Sequence, residues 1–216
     1  MTKAGVGRSG DRAVGTEVGT VNECRGIRSR RGGLGKRASV LRGRQSGRLI
    51  AGKAVMLGDG ISTDAIIAGK YCKQAEGRLL AAHIFEGTCS GRKSWRGTII
   101  IAGRNFGCGS SREQAPLALK AAGVKAVAAR SFGRIFFRNA VNIGLPVMNI
   151  DSQTDHVRDG DEIWMDIRRG SIRNRTMDVI LGRPLPDILM GILDAGGLVP
   201  YMKAELAARK QKTRGG

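Results

Sequence analysis

The chain has 216 residues, 37 of them basic and 18 acidic, for a formal net charge of +19. Hydrophobic residues make up 41% and aromatics only 4%, so a core is expected and must be built from Ala, Val, Ile and Leu. No run approaches the roughly 18 apolar residues of a bilayer span, and no apolar stretch follows the N-terminus, which argues against a membrane protein and a secretory signal.

The charge is concentrated at the start. Residues 1–48 hold twelve basic residues against Asp11, Glu17 and Glu23, together with 11 of the 33 glycines; the first aromatic is Tyr71. A segment with so little to bury cannot offset its ordering entropy, so 1–47 is expected to be a basic, Gly/Arg-rich disordered extension. Phosphate neutralisation would suit nucleic acid, but the stretch lacks aromatics for base stacking. An organelle transit peptide is Arg-rich in this way, but the glycines weaken the amphipathic helix it needs. A solvated extension, or a misassigned upstream start, is the preferred reading. Residues 48–205 then form one domain of ordinary size, and 206–216 a basic frayed end.

Leu49–Leu57 predicts a strand, closed by the turn Gly58-Asp59-Gly60. Ser62-Thr63-Asp64 leads into Ala65-Ile66-Ile67, which Gly69 ends, and a short helix is expected around Arg78–Phe85. Thr98–Ala102 is a continuous apolar run, the pattern of a fully buried strand. A helix from about Ser111 to Ala122 follows, with Gly123 as its stop. Val124–Ala129 predicts a strand, Phe132–Ile143 a helix stopped by Gly144, and Leu145–Ile150 another strand. That alternation is the α/β pattern of a parallel sheet. Ile163, Met165 and Ile167 then alternate with polar partners, and Arg169-Gly170 turns the chain into Ser171–Ile180 as a hairpin. Pro186 and Asp187 start a last helix, ended by Gly196-Gly197.

Cys24, Cys72, Cys89 and Cys108 include no C-x-x-C pair, and neither His83 nor His156 falls at metal spacing from a cysteine. No metal site or self-contained iron–sulfur cluster is expected on this chain. Scattered single cysteines suit a reducing cytoplasm.

The chemistry concentrates in Gly107-Cys108-Gly109-Ser110-Ser111-Arg112-Glu113, between a buried strand and a helix, where α/β proteins place ligand sites. The glycines let backbone N–H groups converge on an anion. Ser110 and Glu113 also have the spacing of a capping box, so the serine has a purely structural alternative. Ser111 and Arg112 add a hydroxyl and a bidentate guanidinium, a fitting receptor for a carboxylate. No lysine follows the glycines as in a phosphate loop, and G-x-S-x-G is unmatched, which disfavours a serine hydrolase.

The run Asn105-Phe106-Gly107-Cys108-Gly109-Ser110-Ser111-Arg112-Glu113 strongly resembles the swivel-domain motif of the aconitase superfamily. The match extends back to Ser62-Thr63-Asp64-Ala65-Ile66-Ile67. Forward, it takes in Ser131-Phe132-Gly133-Arg134-Ile135-Phe136, Arg138-Asn139 and Asn142-Ile143-Gly144-Leu145-Pro146, and reaches Ile192–Leu198. It covers about 48–205 and is nearest to the short, archaeal-like small subunits of 3-isopropylmalate dehydratases.

The resemblance implies a swivelling β/β/α domain: a mostly parallel core sheet with a β-hairpin and flanking helices. It implies a hydro-lyase subunit, active only with a large subunit that carries a [4Fe–4S] cluster, isomerising 2- and 3-isopropylmalate in leucine biosynthesis. By motif position Ser110 is the catalytic base, and Ser111 and Arg112 hold a substrate carboxylate. Asp64, Asn105, Gly107 and Gly109 are orienting residues, Asp64 toward Arg112 or the serine. Arg134 and Arg138, four apart on a predicted helix, are assigned to surface or subunit contacts.

Two positions depart from the pattern. Gln114 stands where the family usually has His, keeping hydrogen bonding but losing titration. Gly133 stands in Ser-Phe-Ala-Arg and is expected to loosen the helix. The loop with Lys70, Tyr71, Cys72, Lys73 and Arg78 occupies the region that reads the substrate's variable group, and its basic character would suit a third carboxylate. The substrate, a small di- or tricarboxylate, therefore stays open between isopropylmalate, homocitrate- or homoaconitate-like tricarboxylates and other substituted malates. A silent binding module whose tail contacts RNA is the alternative of another class, with nucleic acid disfavoured. A non-catalytic regulator of a dehydratase is a further one.

Overall fold

The computed structural model describes residues 49–73, 76–88, 92, 94–151, 157–176 and 179–214. The expected tail 1–47, with Cys24, Cys89 and His156, lies outside them.

Seven strands form one sheet in the order β4-β3-β2-β1-β5-β6-β7. β1 (Leu49–Leu57), β2 (Thr98–Ala102), β3 (Ala126–Ala129) and β4 (Val147–Asn149) run parallel. β5 (Glu162–Asp166), β6 (Ser171–Asn174) and β7 (Val179–Leu181) continue it antiparallel. β1 joins the two halves by splitting its own length: Leu49–Lys53 pair with β5, and Lys53–Leu57 pair with β2. The sheet also closes on itself. Ile150 bridges Gly182, the Asp151 N–H donates to the Leu181 carbonyl at 3.0 Å and the Arg183 N–H to the Asn149 carbonyl at 2.9 Å. Closure pairs the edges that an open sheet would expose.

Two apolar cores follow from the two faces of the strands. Ile99, Ile101, Ala126, Ala128 and Met148 point into the closed side against Ile163, Met165, Ile172 and Ile180. Val55, Ile100, Val127 and Val147 point outward under the helices. Those are α1 (Thr63–Ile66), α2 (Gly77–Ala81), α3 (Gln114–Ala121), α4 (Arg134–Asn142) and α5 (Asp187–Asp194). Coverage on both sides explains why β2 and β3 read as unbroken apolar runs.

Several expected boundaries move. α3 begins at Gln114 rather than Ser111, and just before it Cys108 and Ser110 are bonded to Ser62 and Thr63. Pro116 then sits in the first turn, where a missing N–H costs nothing. The expected helix 78–85 stops at Ala81. The buried Phe85 turns the chain at φ 54°, with its N–H donating to the Ile66 carbonyl at 2.9 Å. Residues 171–180 are not one strand but β6 and β7. Gly133 lies outside α4, as its N-cap, so it does not loosen that helix; a Cβ there would come 2.5 Å from the Gly107 carbonyl oxygen. Residues 206–214, expected to fray, belong to α6 (Leu198–Arg214).

Candidate active site

The strands β1, β2 and β3 end at one edge, and the loops that leave them are bonded to one another. The Gly60 N–H donates to the Arg104 carbonyl at 2.8 Å, and the Gly107 N–H to the Ile61 carbonyl at 2.7 Å. The Thr63 N–H donates to the Cys108 carbonyl at 2.8 Å, and the Phe106 N–H to the Ser131 carbonyl at 2.9 Å. The loop that carries Ser110 is therefore held from both sides.

Local backbone demands explain its composition. Asn105 adopts φ 60°, a left-handed conformation Asn tolerates, and its N–H donates to Ser131 Oγ at 2.8 Å. Gly107 adopts φ 74°, and a Cβ there would fall 2.2 Å from Phe136 Cγ. Beneath it, Phe106 packs edge-on against Phe136 (5.3 Å) and Phe132 (6.0 Å). Four of the five phenylalanines of this aromatic-poor chain gather here, with Phe137 against Phe132. Gly109 is also left-handed (φ 91°), with open space around it.

Ser110 and Ser111 are exposed. The Ser110 carbonyl accepts from Thr63 Oγ1 at 3.3 Å, while its hydroxyl has no hydrogen-bond partner among the described residues. The capping box does not form: the N-cap of α3 is Glu113, with no side-chain cap bond. Arg112, 28% exposed at its side chain, pairs through Nη1 with Asp64 Oδ1, and Asp64 is 57% exposed. The hydrogen bond and charge of Asp64 hold the guanidinium above its ordinary pKa. Asp64 is placed by the first turn of α1, which Ser62 caps by accepting from the Ala65 N–H at 3.0 Å. The guanidinium also lies flat against Gly69, where a Cβ would be 3.3 Å from Nη2.

The loop 70–78 divides. Lys70 and Tyr71 belong to a 3₁₀ turn, Gly69–Tyr71, whose Gly69 lies beside Arg112, and Cys72 closes the turn with its N–H donating to the Gly69 carbonyl at 3.1 Å. Lys73 is exposed. Arg78 is separated from them: Gly77 packs against Leu117 and Ala121, at the far end of α3 from Arg112. Arg134 and Arg138 lie one turn apart on α4. Gln114 opens α3, directly after the Ser-Ser-Arg-Glu run.

The sequence did not reveal His83 and Glu86 as neighbours of this site. A pocket of about 220 Å³ beside Asp64 is lined by Asp64, Ala65, Ala68, Lys70, His83, Glu86 and Gly87. Among the described residues no three His, Cys, Asp or Glu side chains converge as metal ligands. Among them, too, no helix is long and apolar enough to cross a membrane.

Comparison with known proteins places the fold and the family. Residues 65–153 match the aconitase C-terminal domain family. The chain is 48% identical over 160 residues to 3-isopropylmalate dehydratase small subunit 1 of Methanopyrus kandleri, covering 73% of this chain and 94% of that one. It is 43% identical over 162 residues to the isopropylmalate/citramalate isomerase small subunit of Methanocaldococcus jannaschii, 74% of this chain and 96% of that one. The crystal structure of a 3-isopropylmalate dehydratase from the same organism superposes with a TM-score of 0.71 at 41% identity, over 76% of this chain and 99% of that one. The chain belongs to the family of 3-isopropylmalate dehydratase small subunits.

Proposed function

We propose that this chain is the small subunit of a hydro-lyase that interconverts 2- and 3-isopropylmalate, working with a large subunit. The single observation that supports it most is the Ser110 hydroxyl, exposed and unbonded among the described residues, on a rigid loop next to the paired Arg112.

In this reading Ser110 Oγ, as the alkoxide, takes the proton from the substrate carbon next to the carboxylate. The hydroxyl leaves from the neighbouring carbon, and the reverse steps with the positions exchanged complete the isomerisation. Ser111 and Arg112 hold a carboxylate. A guanidinium has five N–H donors, so pairing with Asp64 leaves donors for the substrate while fixing the plane of the group. A fixed cation beside Ser110 lowers the cost of the alkoxide. Asp64, Asn105, Gly107 and Gly109 act through loop position. The [4Fe–4S] cluster, assigned to the large subunit, supplies the Lewis acid for the leaving hydroxyl.

The test is anaerobic reconstitution with the co-encoded large subunit, following the absorbance of the unsaturated intermediate. Turnover of isopropylmalate is expected. No turnover of isopropylmalate, citramalate or homocitrate by the assembled complex would overturn the reading.

A further inference from the structure

The pocket beside the Asp64–Arg112 pair carries two basic side chains, Lys70 and His83, and both are directed at one acid. Glu86 Oε2 lies 3.9 Å from Lys70 Nζ and 3.7 Å from His83 Nδ1, and accepts from the Tyr71 hydroxyl at 2.6 Å. Tyr71 stacks on His83 with centroids 3.8 Å apart and planes within 9°, and Lys70 Nζ sits 4.7 Å above the Tyr71 ring.

The backbone is strained to make this cluster. Phe85, next to Glu86, holds φ 54°, a conformation a bulky side chain rarely adopts. Burial against Trp95, with centroids 4.6 Å apart, holds it there. The strained turn carries Glu86 to face a 3₁₀ turn 15 residues earlier in sequence.

The consequence is electrostatic. A free ammonium on this wall would attract a third carboxylate, as the basic composition of the loop suggests. With Glu86 3.9 Å away and the Tyr71 ring beneath it, the exposed Lys70 ammonium instead has its charge opposed, and the remaining walls are Asp64, Ala65, Ala68, His83 and Gly87. We propose that Glu86 determines specificity: by holding Lys70 and Tyr71 it makes this pocket accept an uncharged substituent and reject a carboxylated one. This rests on the dehydratase reading above and adds to it a residue outside the family motif.

The test uses the assembled complex turning over isopropylmalate, with two inhibitors of the same skeleton. One is propane-1,2,3-tricarboxylate and the other 2-isopropylsuccinate, whose substituent is neutral. Their Ki ratio cancels general damage to the site. In Glu86→Gln the ratio is expected to shift about tenfold toward the tricarboxylate, the scale of one additional charge-assisted hydrogen bond. In Lys70→Met/Glu86→Gln it is expected to return to the wild-type value. A ratio unchanged in Glu86→Gln, or a shift that persists in the double variant, overturns the inference while wild-type turnover leaves the dehydratase reading intact. A wild-type complex without turnover overturns both.

Discussion

The two halves of the closed sheet handle their loops differently. At the ends of β5 and β6 the turns carry short-range side-chain bonds: the Arg169 N–H donates to Asp166 Oδ1 at 3.1 Å, and Thr176 Oγ1 to Asn174 Oδ1 at 2.8 Å, with the Gly182 N–H donating to the Gly170 carbonyl at 2.8 Å from the far side of β7. At the ends of β1, β2 and β3 the loops are held by one another, across separations of up to 48 residues. Such turns close a wall and position no candidate site residue. Loops bonded across the fold form a platform whose geometry is set before any ligand arrives, as an active site requires.

Matched glycine substitutions would break that contrast most sharply. Gly107→Ala puts a Cβ 2.2 Å from Phe136 Cγ at a left-handed φ, and is expected to cost about 4 kcal/mol, a loss readable in thermal or denaturant unfolding. Gly170→Ala puts a Cβ 2.5 Å from the Gly182 carbonyl, also at positive φ, and should cost about 3 kcal/mol. The two differ in the protein that remains folded. At Gly107 its activity in the complex should be lost, whereas at Gly170 it should match wild type.

Asp64→Asn sharpens the comparison within the platform. Removing the charge frees the Arg112 guanidinium to rotate, and a rise in KM of about 10- to 100-fold is expected with a smaller fall in kcat. Because Asp64 is more than half exposed, stability should change by less than about 1 kcal/mol, measurable by denaturant titration.

The smallest effect expected is with pH. Glu86 is held below its ordinary value of 4.5, chiefly by the Tyr71 hydroxyl, then by Lys70 and His83. Its charge contributes above that value and is lost only as pH falls through the lowered one. Lys70 is held above its ordinary 10.5, chiefly by Tyr71 and then by Glu86, so its charge is fully present below that value and is lost only as pH rises through the raised one. Neither group of the pair changes charge from about pH 6 to 9, so any slope of the inhibitor ratio in that window should be the same in wild type and in Lys70→Met/Glu86→Gln, and a slope that the double variant abolishes would contradict the pairing.

Much of this was legible in the sequence because it is local. The apolar run Thr98–Ala102 followed by glycines and hydroxyls announces a buried strand opening onto a site, and the order of strands and helices follows the apolar pattern. What was not legible depends on partners far along the chain. Ser111–Glu113 read as the start of a helix until Cys108 and Ser110 are seen bonded to Thr63. Gly133 read as a flaw in a helix until its approach to Gly107 is seen. Sheet closure through Ile150 and Gly182 leaves no periodic signal, and Glu86 reaches Tyr71 only through a left-handed Phe85 that no propensity predicts. In the basic loop, read as suiting a third carboxylate through Lys70, Lys73 or Arg78, Lys70 has Glu86 3.9 Å away, Lys73 is exposed, and Arg78 follows Gly77 toward the far end of α3, a division that composition does not show.

The most direct test of the central claim compares Ser110→Ala with wild type in the complex with the large subunit, measuring kcat and thermal unfolding on the same preparation. Because the hydroxyl makes no bond among the described residues, the unfolding temperature should be unchanged, while kcat should fall by about 10³-fold or more. Retained turnover would contradict the assignment of Ser110 as the base. A fall in activity matched by a fall in stability would place the serine in the scaffold instead.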